Sequence, residues 1–361
     1  MTHKSNVVEV RLLKGILWIY ILLCLMIAGL NYGYASKATP EVADFISSFW
    51  HIYENWIKTA FIIVGSILTL RIVASGQTIM RKKNLIGLII TALVIHILGP
   101  IFLHNEELYF FSMPLPWTTT PLQLLEPESS FYLSRFPIWG TFGITSSLIF
   151  YFCITIIVFG GTILFGRRWQ CSTLCMFNGF AAEVFAPVFP LLGKKKNMTS
   201  GKLKVFSWLR WIFLGIALFF TGWWALHLSG VPITGNMELL SNIEVYKYLS
   251  LELLFMMFFW IAFLGRGYCY YCPLGTVLSL IGRLSGQRIV TDRTKCVQCG
   301  QCNMVCPMSI DIKSRAEKGE PVKNLRCVGC GHCVDICPTG TLAYSTNFLS
   351  VTKIENPNGV S

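Results

Sequence analysis

The sequence predicts an α-helical polytopic membrane protein with six transmembrane helices, followed by a small C-terminal α+β domain. Composition predicts the membrane part, because 53% of the 361 residues are hydrophobic and only 13% are charged, whereas average proteins carry about 25% charged residues. Six apolar stretches also reach the length of about 20 residues that a membrane helix needs. A repeated cysteine pattern near the C-terminus predicts the small domain.

The six apolar stretches set the order of the predicted spans. They cover residues 12–31, 55–75, 85–103, 139–165, 205–228 and 248–265. We predict a transmembrane domain over residues 1–275, an amphipathic connector over 276–286, the small domain over 287–346 and a tail over 347–361. The apolar segment 176–193 is too short to span and contains two prolines. We predict that it lies at the cytoplasmic interface.

Basic residues collect on one side of the predicted spans. The N-terminus and the loops after the second and fourth spans carry 13 Lys and Arg against two acids, Glu9 and Glu183. The remaining loops carry Lys37, Arg135 and Lys247 against nine acids. Lys and Arg favour the cytoplasmic side of a membrane, so both termini and the C-terminal domain are predicted to be cytoplasmic. The loop over 104–136 is then outside, with Trp117 and Tyr132 as interface anchors.

The net charge of +12 needs no nucleic acid to explain it. In a membrane protein such an excess marks cytoplasmic loops. No basic run is interleaved with aromatic residues as a nucleic-acid groove requires. We therefore expect membrane lipid, and no nucleic acid, as a partner.

Two cysteine runs carry the chemistry of the C-terminal domain. They read CVQCGQCNMVCP at 296–307 and CVGCGHCVDICP at 327–338, and they contain eight of the 14 cysteines. Each is a C-x2-C-x2-C-x3-C-P run, the bacterial ferredoxin pattern for two [4Fe–4S] clusters, in which the fourth cysteine ligates the other cluster. The predicted ligand sets are Cys296, Cys299, Cys302 and Cys337 for cluster 1, and Cys327, Cys330, Cys333 and Cys306 for cluster 2.

Zinc and disulfides are the alternatives for these runs. Structural zinc sites use four ligands, commonly as two separate cysteine pairs, which does not explain the repeated fourth cysteine followed by proline. Two [4Fe–4S] clusters predict one-electron transfer. His332, inside the second run, is expected to be exposed at the surface.

A second pattern occurs at the ends of the fourth and sixth spans. The segments LFGRRWQCSTLCMFNG (164–179) and FLGRGYCYYCPLG (263–275) share Gly-Arg, an aromatic residue and a cysteine pair. Both spans run from outside to inside, so Cys171, Cys175, Cys269 and Cys272 should lie at one depth beneath the C-terminal domain. Three interpretations stay open: a further metal or iron–sulfur centre, a thiol–disulfide relay, or inert buried thiols.

These motifs together resemble the NapH/NosR-type membrane polyferredoxins, including the maturation proteins of the CcoG type. The resemblance rests on Cys269-Tyr-Tyr-Cys272-Pro-Leu-Gly, on Cys171 and Cys175, and on the two ferredoxin runs. It implies electron transfer between the quinone pool and a redox partner, with the clusters facing the cytoplasm. The chain departs from the C-x3-C-P pattern, since Met176 follows the first pair and only two residues separate the second.

Ionisable groups in the spans are the candidates for a quinone site, because such groups are costly in a membrane and often functional. Quinol oxidation releases protons, which need a nearby acceptor. The candidates are His96, His227 and Glu252. Two alternatives stay open for the histidines: ligation of a b-type haem by His96 and His227, and ordinary hydrogen bonding. A quinone site near the cysteine pairs at the inner ends of the spans is equally open.

The resulting hypothesis is an electron-transfer protein of a bacterial or archaeal cytoplasmic membrane, a component of a quinol dehydrogenase system. Its partner is a soluble ferredoxin or flavodoxin, or another membrane redox subunit. The alternative is a factor that handles or reduces copper, or matures a respiratory metalloenzyme, through its membrane-edge cysteines. A regulatory redox sensor is a third class, although no output domain is recognisable.

Overall fold

The computed structural model describes residues 2–73, 78–193, 197–231 and 237–349. It contains, within those ranges, six helices long and apolar enough to cross a membrane, and these agree with the six predicted spans. They are Val7–Tyr34, Pro40–Val73, Ile79–Leu103, Ser130–Phe165, Ser200–Leu228 and Asn242–Ala262, called here the first to sixth long helices. Lys194, Lys195 and Lys196, which contributed to the charge asymmetry, lie outside the described residues.

Most of these helices extend beyond the predicted apolar stretches. The second begins at Pro40 rather than near residue 55, because the helix continues through Glu41, Asp44 and Glu54. Backbone hydrogen bonding does not depend on hydropathy, so charged turns can prolong a helix that the apolar pattern alone would end. The buried Glu54 is paired with Lys58 at 2.6 Å, one turn further along.

The helices pack around one core. The first long helix packs along the second, and the second packs against the third. The helix Pro273–Leu284 joins the sixth long helix to the C-terminal domain and packs against the fourth and fifth. It covers most of the predicted connector.

The segment after the fourth long helix, which we predicted to lie at the cytoplasmic interface over 176–193, packs largely inside the protein and not on its surface. Its helix, Asn178–Val184, is buried at every residue and packs against the second and third long helices. Small residues permit this approach: a side chain at Gly65 would come within 2.5 Å of Val184. Hydropathy alone could not distinguish burial in protein from burial at a lipid surface.

The loop before the fourth long helix is folded onto the helices. It contains the helix Thr120–Leu125, and Trp117 is buried, with its Nε1 donating to the Tyr268 hydroxyl at 3.1 Å. Trp117 is therefore not an interface anchor. Tyr132 is partly buried and stacks on Phe136 with ring centres 5.5 Å apart.

The C-terminal domain combines short helices with one antiparallel strand pair. Strand β1 (Arg288–Thr291) pairs with β2 (Leu342–Ser345) in the register Arg288 to Ser345. Its helices are Gln301–Val305, Lys313–Lys318 and His332–Asp335. The predicted tail is described only to residue 349.

Hydrogen bonds attach this domain to several of the long helices. The Asp335 carboxylate accepts from the Met80 amide at 3.0 Å, at the start of the third long helix. The Tyr344 hydroxyl donates to the Phe165 carbonyl at 2.7 Å, at the end of the fourth. The Met198 amide, just before the fifth, donates to the Ser309 hydroxyl at 3.0 Å.

Candidate metal centres

The first predicted ligand set surrounds one small cavity. Cys296, Cys299, Cys302 and Cys337 all line a space of about 30 Å³. The loop between them turns through left-handed backbone at Gln298 (φ 57°) and Gly300 (φ 73°). Cys299 is exposed and the other three are partly buried, so this cavity lies at the surface of the domain.

The second predicted ligand set surrounds a separate cavity deeper in the molecule. Cys306, Cys327, Cys330 and Cys333 line a space of about 20 Å³. Gly331 (φ 78°) approaches the third long helix so closely that a side chain there would come within 2.7 Å of Met80. The glycine therefore serves both the turn and the contact between the domain and the helices.

The donor chemistry of both cavities fits iron–sulfur clusters. Each cavity is lined by four cysteine thiols, and four cysteine thiolates are the usual ligand set of a [4Fe–4S] cluster. Each run contributes three cysteines to one cavity and its fourth to the other, which is the crossover of two-cluster ferredoxins.

Residues 288–338 match the model of the 4Fe-4S dicluster domain family. The chain carries a ferredoxin-type iron–sulfur domain. The chain is also 32% identical over 162 residues to the methylamine utilization ferredoxin-type protein MauN of Methylobacillus flagellatus, covering 42% of this chain and 53% of that protein. It is 29% identical over 158 residues to an uncharacterized protein of Methanocaldococcus jannaschii, covering 43% and 56%.

The chain thus spans about half the length of these curated relatives. No solved structure matches it. The comparisons support iron–sulfur electron transfer by the ferredoxin domain, and the six long helices are consistent with a multi-pass membrane protein.

Two buried arginines contact the cysteines of the repeated segments at Cys171 and Cys269. Arg167 Nε donates to the Cys171 Sγ at 3.2 Å, and Arg167 Nη2 donates to the Cys269 carbonyl at 3.2 Å. Arg266 Nη1 donates to the Cys171 carbonyl at 3.0 Å. The two Gly-Arg-aromatic segments of the repeat are therefore interlocked. We call Cys171, Cys175, Cys269 and Cys272 the inner cysteine group.

Amide donors surround these thiols. Asn178 Nδ2 donates to the Cys269 Sγ at 3.2 Å, and the Gly179 and Gly275 amides lie 3.4 and 3.3 Å from the Cys175 and Cys272 Sγ atoms. Burial raises the pKa of Cys175 to about 11. The donors aimed at sulfur are suited to thiolates, which accept hydrogen bonds more strongly than thiols do.

A buried ionic network connects this group to the second cluster cavity. Glu183 is fully buried, pairs with Arg266, and lies 2.8 Å from His332 Nε2. Burial alone would raise the pKa of Glu183, but His332 and Arg266 outweigh it and hold that pKa well below its usual range. Asn84 Nδ2 donates hydrogen bonds to the same carboxylate at 3.2 Å and to the Cys330 carbonyl at 2.9 Å.

The expectation that His332 is exposed was wrong. Its side chain is 4% exposed, and burial lowers its pKa to about 4, so the ring is neutral at physiological pH. No local pattern could predict this contact, because His332 and Glu183 are 149 residues apart. Arg167 and Arg266 were detectable, since both follow glycine in the repeated segments.

The predicted quinone candidates lie in different surroundings. Glu252 lines a cavity of about 290 Å³ and His96 lines a neighbouring one of about 550 Å³. Both ring nitrogens of the buried His96 lack a hydrogen-bond partner among the described residues. His227 lines neither cavity and lies 3.6 Å from Glu126. The two histidines proposed as haem ligands thus share no cavity in the described part of the chain.

Proposed function

We propose that the protein passes single electrons between membrane quinones and a protein partner through two [4Fe–4S] clusters. The observation that carries this proposal is the pair of separate cavities, each lined by four cysteines in the crossover arrangement. Cluster 1 is held by Cys296, Cys299, Cys302 and Cys337, and cluster 2 by Cys327, Cys330, Cys333 and Cys306.

The surroundings of the two cavities support one order of electron transfer through the two clusters. Cluster 2 lies against the third long helix, next to the Asn84 and Glu183 network. Cluster 1 lies beside the exposed Cys299. Electrons therefore move between the long helices and cluster 2, then cluster 1, then the partner.

The rim of cluster 1 favours an acidic partner. Lys313 lines its cavity and Lys295 directly precedes Cys296, with side chains 41% and 59% exposed. Complementary charge steers encounter between redox proteins. A soluble ferredoxin, a flavodoxin or an acidic membrane redox subunit fits this rim.

The inner cysteine group holds a further iron–sulfur centre in this proposal. Arg167, Arg210 and Arg266 are buried around it, whereas the buried carboxylate of Glu183 contacts only Arg266 among them. Buried cations require compensation, and a centre with four thiolate ligands supplies the missing negative charge. Neutral thiols would supply no negative charge.

The geometry weighs against the copper-handling alternative. Among the described residues, Glu183, Cys330 and His332 form the one group of three metal-binding side chains whose ligand atoms lie within 4.8 Å of one another. No three thiols of the inner cysteine group approach that closely. A single ion needs close donors, whereas a cubane holds its thiolates further apart.

The charge asymmetry supports placing this domain in the cytoplasm of a bacterial or archaeal cell. Arg81, Lys82, Lys83, Arg167 and Arg168 lie at the same ends of the long helices as the ferredoxin domain. Positive loops favour that side. The opposite ends then face outward.

Iron and sulfide counting with EPR of the anaerobically purified, reduced protein tests the cofactor set. Two cubanes hold about eight irons and a third raises this to about 12. Cys296→Ser and Cys327→Ser should each lose one cluster and abolish quinol-dependent reduction of an acceptor. The control is Cys153→Ser, an exposed thiol on the fourth long helix. Full iron content and activity in both cluster variants would refute the proposal.

A further inference from the structure

The cavity that contains Glu252 lies at the opposite ends of the long helices from the ferredoxin domain. We call it the distal cavity. Arg135, near the start of the fourth long helix, lines it, whereas Phe165, at the end of that helix, contacts the ferredoxin domain. The backbone is non-helical at Gly140, and the helical residues from there to Phe165 alone span roughly 37 Å. Any exchange of electrons between the two ends therefore needs a carrier in between.

The floor of the distal cavity reaches that intermediate position. Glu252 is 1% exposed, accepts a hydrogen bond from the Tyr268 hydroxyl at 2.8 Å, and lies 3.0 Å from Lys247 Nζ. Trp117 Nε1 donates to the same hydroxyl at 3.1 Å. Tyr268 directly precedes Cys269 in the chain. One side chain thus joins the cavity floor to the inner cysteine group.

The walls of the distal cavity suit a planar ring with polar ends. Trp50, Trp117 and Tyr248 supply aromatic surface, and Arg135, Lys247 and Glu252 supply charged groups. Its volume of about 290 Å³ is near the lower end of the range of roughly 300–1,000 Å³ that is usual for small-molecule sites. A few placed polar groups on apolar walls are typical of such sites.

A path for protons leads outward from the same cavity. His51 lines it and lies 3.3 Å from the buried Glu107 and 2.8 Å from Glu106, whose side chain is 67% exposed. Protonatable groups therefore occur both at the floor and on the wall that leads to solvent. This combination is what a carrier of both electrons and protons requires.

We propose that the distal cavity binds the head group of a membrane quinol or quinone, and that Glu252 exchanges a proton with it. The inference rests on the proposed function. In the direction of quinol oxidation, both O–H bonds break and two protons leave, one to the Glu252 carboxylate and one to His51. Two electrons pass singly past Tyr268 to the iron–sulfur centres, which are thereby reduced. The quinone is the product, and quinone reduction reverses each step.

Glu252→Gln in the full-length protein tests the proton role. It keeps the shape and the Tyr268 contact but removes the base. We expect menadiol to reduce the clusters at least tenfold more slowly, with dithionite reduction and the EPR signals unchanged. Glu252→Asp should recover part of the rate. The matched control is Glu128→Gln in an exposed loop, which should behave as wild type.

A photoactivatable azidoquinone tests the site itself. We expect covalent label on peptides that contain Trp117 and Tyr248. Label confined to the peptide around His96 would move the quinone to the neighbouring cavity and overturn the inference, as would equal menadiol rates in wild type and Glu252→Gln.

The two proposals fail in distinguishable ways. If menadiol does not reduce the wild-type clusters while dithionite does, the quinone link in the proposed function is wrong. If menadiol reduces the wild-type clusters, but Glu252→Gln has the same rate and no label appears on the peptides of the distal cavity, only the assignment of the site is wrong.

Discussion

The two cysteine runs have the same spacing and opposite surroundings. In the first run Cys299 is exposed, and the nearby Lys295 and Lys313 form solvent-accessible ion pairs with Asp292 and Glu317. In the second run Cys330 and Cys333 are buried, Asp335 binds the third long helix, and His332 binds the helix Asn178–Val184. Ligand spacing fixes which cluster type forms, whereas the residues between the ligands fix what each cluster faces. In the proposed function the first run faces the redox partner, and the second run connects the domain to the helices.

The largest expected difference between the runs comes from ligand replacement. Cys330→Ser should remove cluster 2 and disrupt the buried contact between the second run and the helices, so that the full-length protein accumulates poorly and is degraded. Cys299→Ser should remove only cluster 1, leaving the protein in the membrane with one cubane and no transfer to the partner. Membrane immunoblots and iron counts measure both. Equal accumulation of the two variants would show that the second run matters no more for the stability of the protein than the first.

The next effect concerns the ion pair behind the second run. Glu183→Gln leaves Arg266 buried without its carboxylate, and breaking a buried pair costs about 3–5 kcal/mol. We expect a clearly lower unfolding temperature and faster loss of cluster 2. Glu317→Gln, which removes the exposed partner of Lys313 near the first run, is the control and should change neither. A thermal shift of the same size in both variants would contradict the assignment.

A smaller effect is expected from the cap on the third long helix. Asp335 accepts from the Met80 and Arg81 amides at 3.0 and 2.9 Å, and loss of such a cap costs about 1 kcal/mol. Asp335→Ala should therefore increase proteolytic release of the ferredoxin domain severalfold. Asp311→Ala, in the exposed turn after the first run, should destabilise only its own turn. Unchanged proteolysis in Asp335→Ala would show that the contact is dispensable.

The smallest effect should be on the rim of the first run. Lys313→Gln removes one exposed charge, which lowers the rate of encounter with an acidic carrier roughly twofold at low salt. The difference should vanish at high salt because exposed charges are screened. Stopped-flow reduction of the carrier measures it. A salt-independent loss would mean that Lys313 acts on the cluster and not on docking.

Local patterns predicted the parts of the molecule that depend on local chemistry. Six apolar stretches identified the six long helices, since length and hydropathy are properties of contiguous residues. The cysteine spacing groups the eight cysteines into the same two sets that line the two cavities. Arg167 and Arg266, from the repeated Gly-Arg segments, each contact both Cys171 and Cys269.

Long-range burial could not be read from the same patterns. Glu183 looked like a loop acid, yet it binds Arg266 and His332, which lie 83 and 149 residues away. Trp117 looked like an interface residue, yet it donates to Tyr268 across 151 residues. Both errors have one cause: hydropathy describes a residue's preference for leaving water, not the partner it meets.

The ferredoxin domain is attached at several points, among them Met80, Phe165 and Met198. A module fixed in this way to several parts of the helical bundle cannot swing between donor and acceptor as a tethered arm does. The rate of electron transfer should therefore rise with the concentration of the partner protein. It should not change when added glycerol slows large internal movements of the protein. Evolution of a new acceptor would require changes only on the exposed rim.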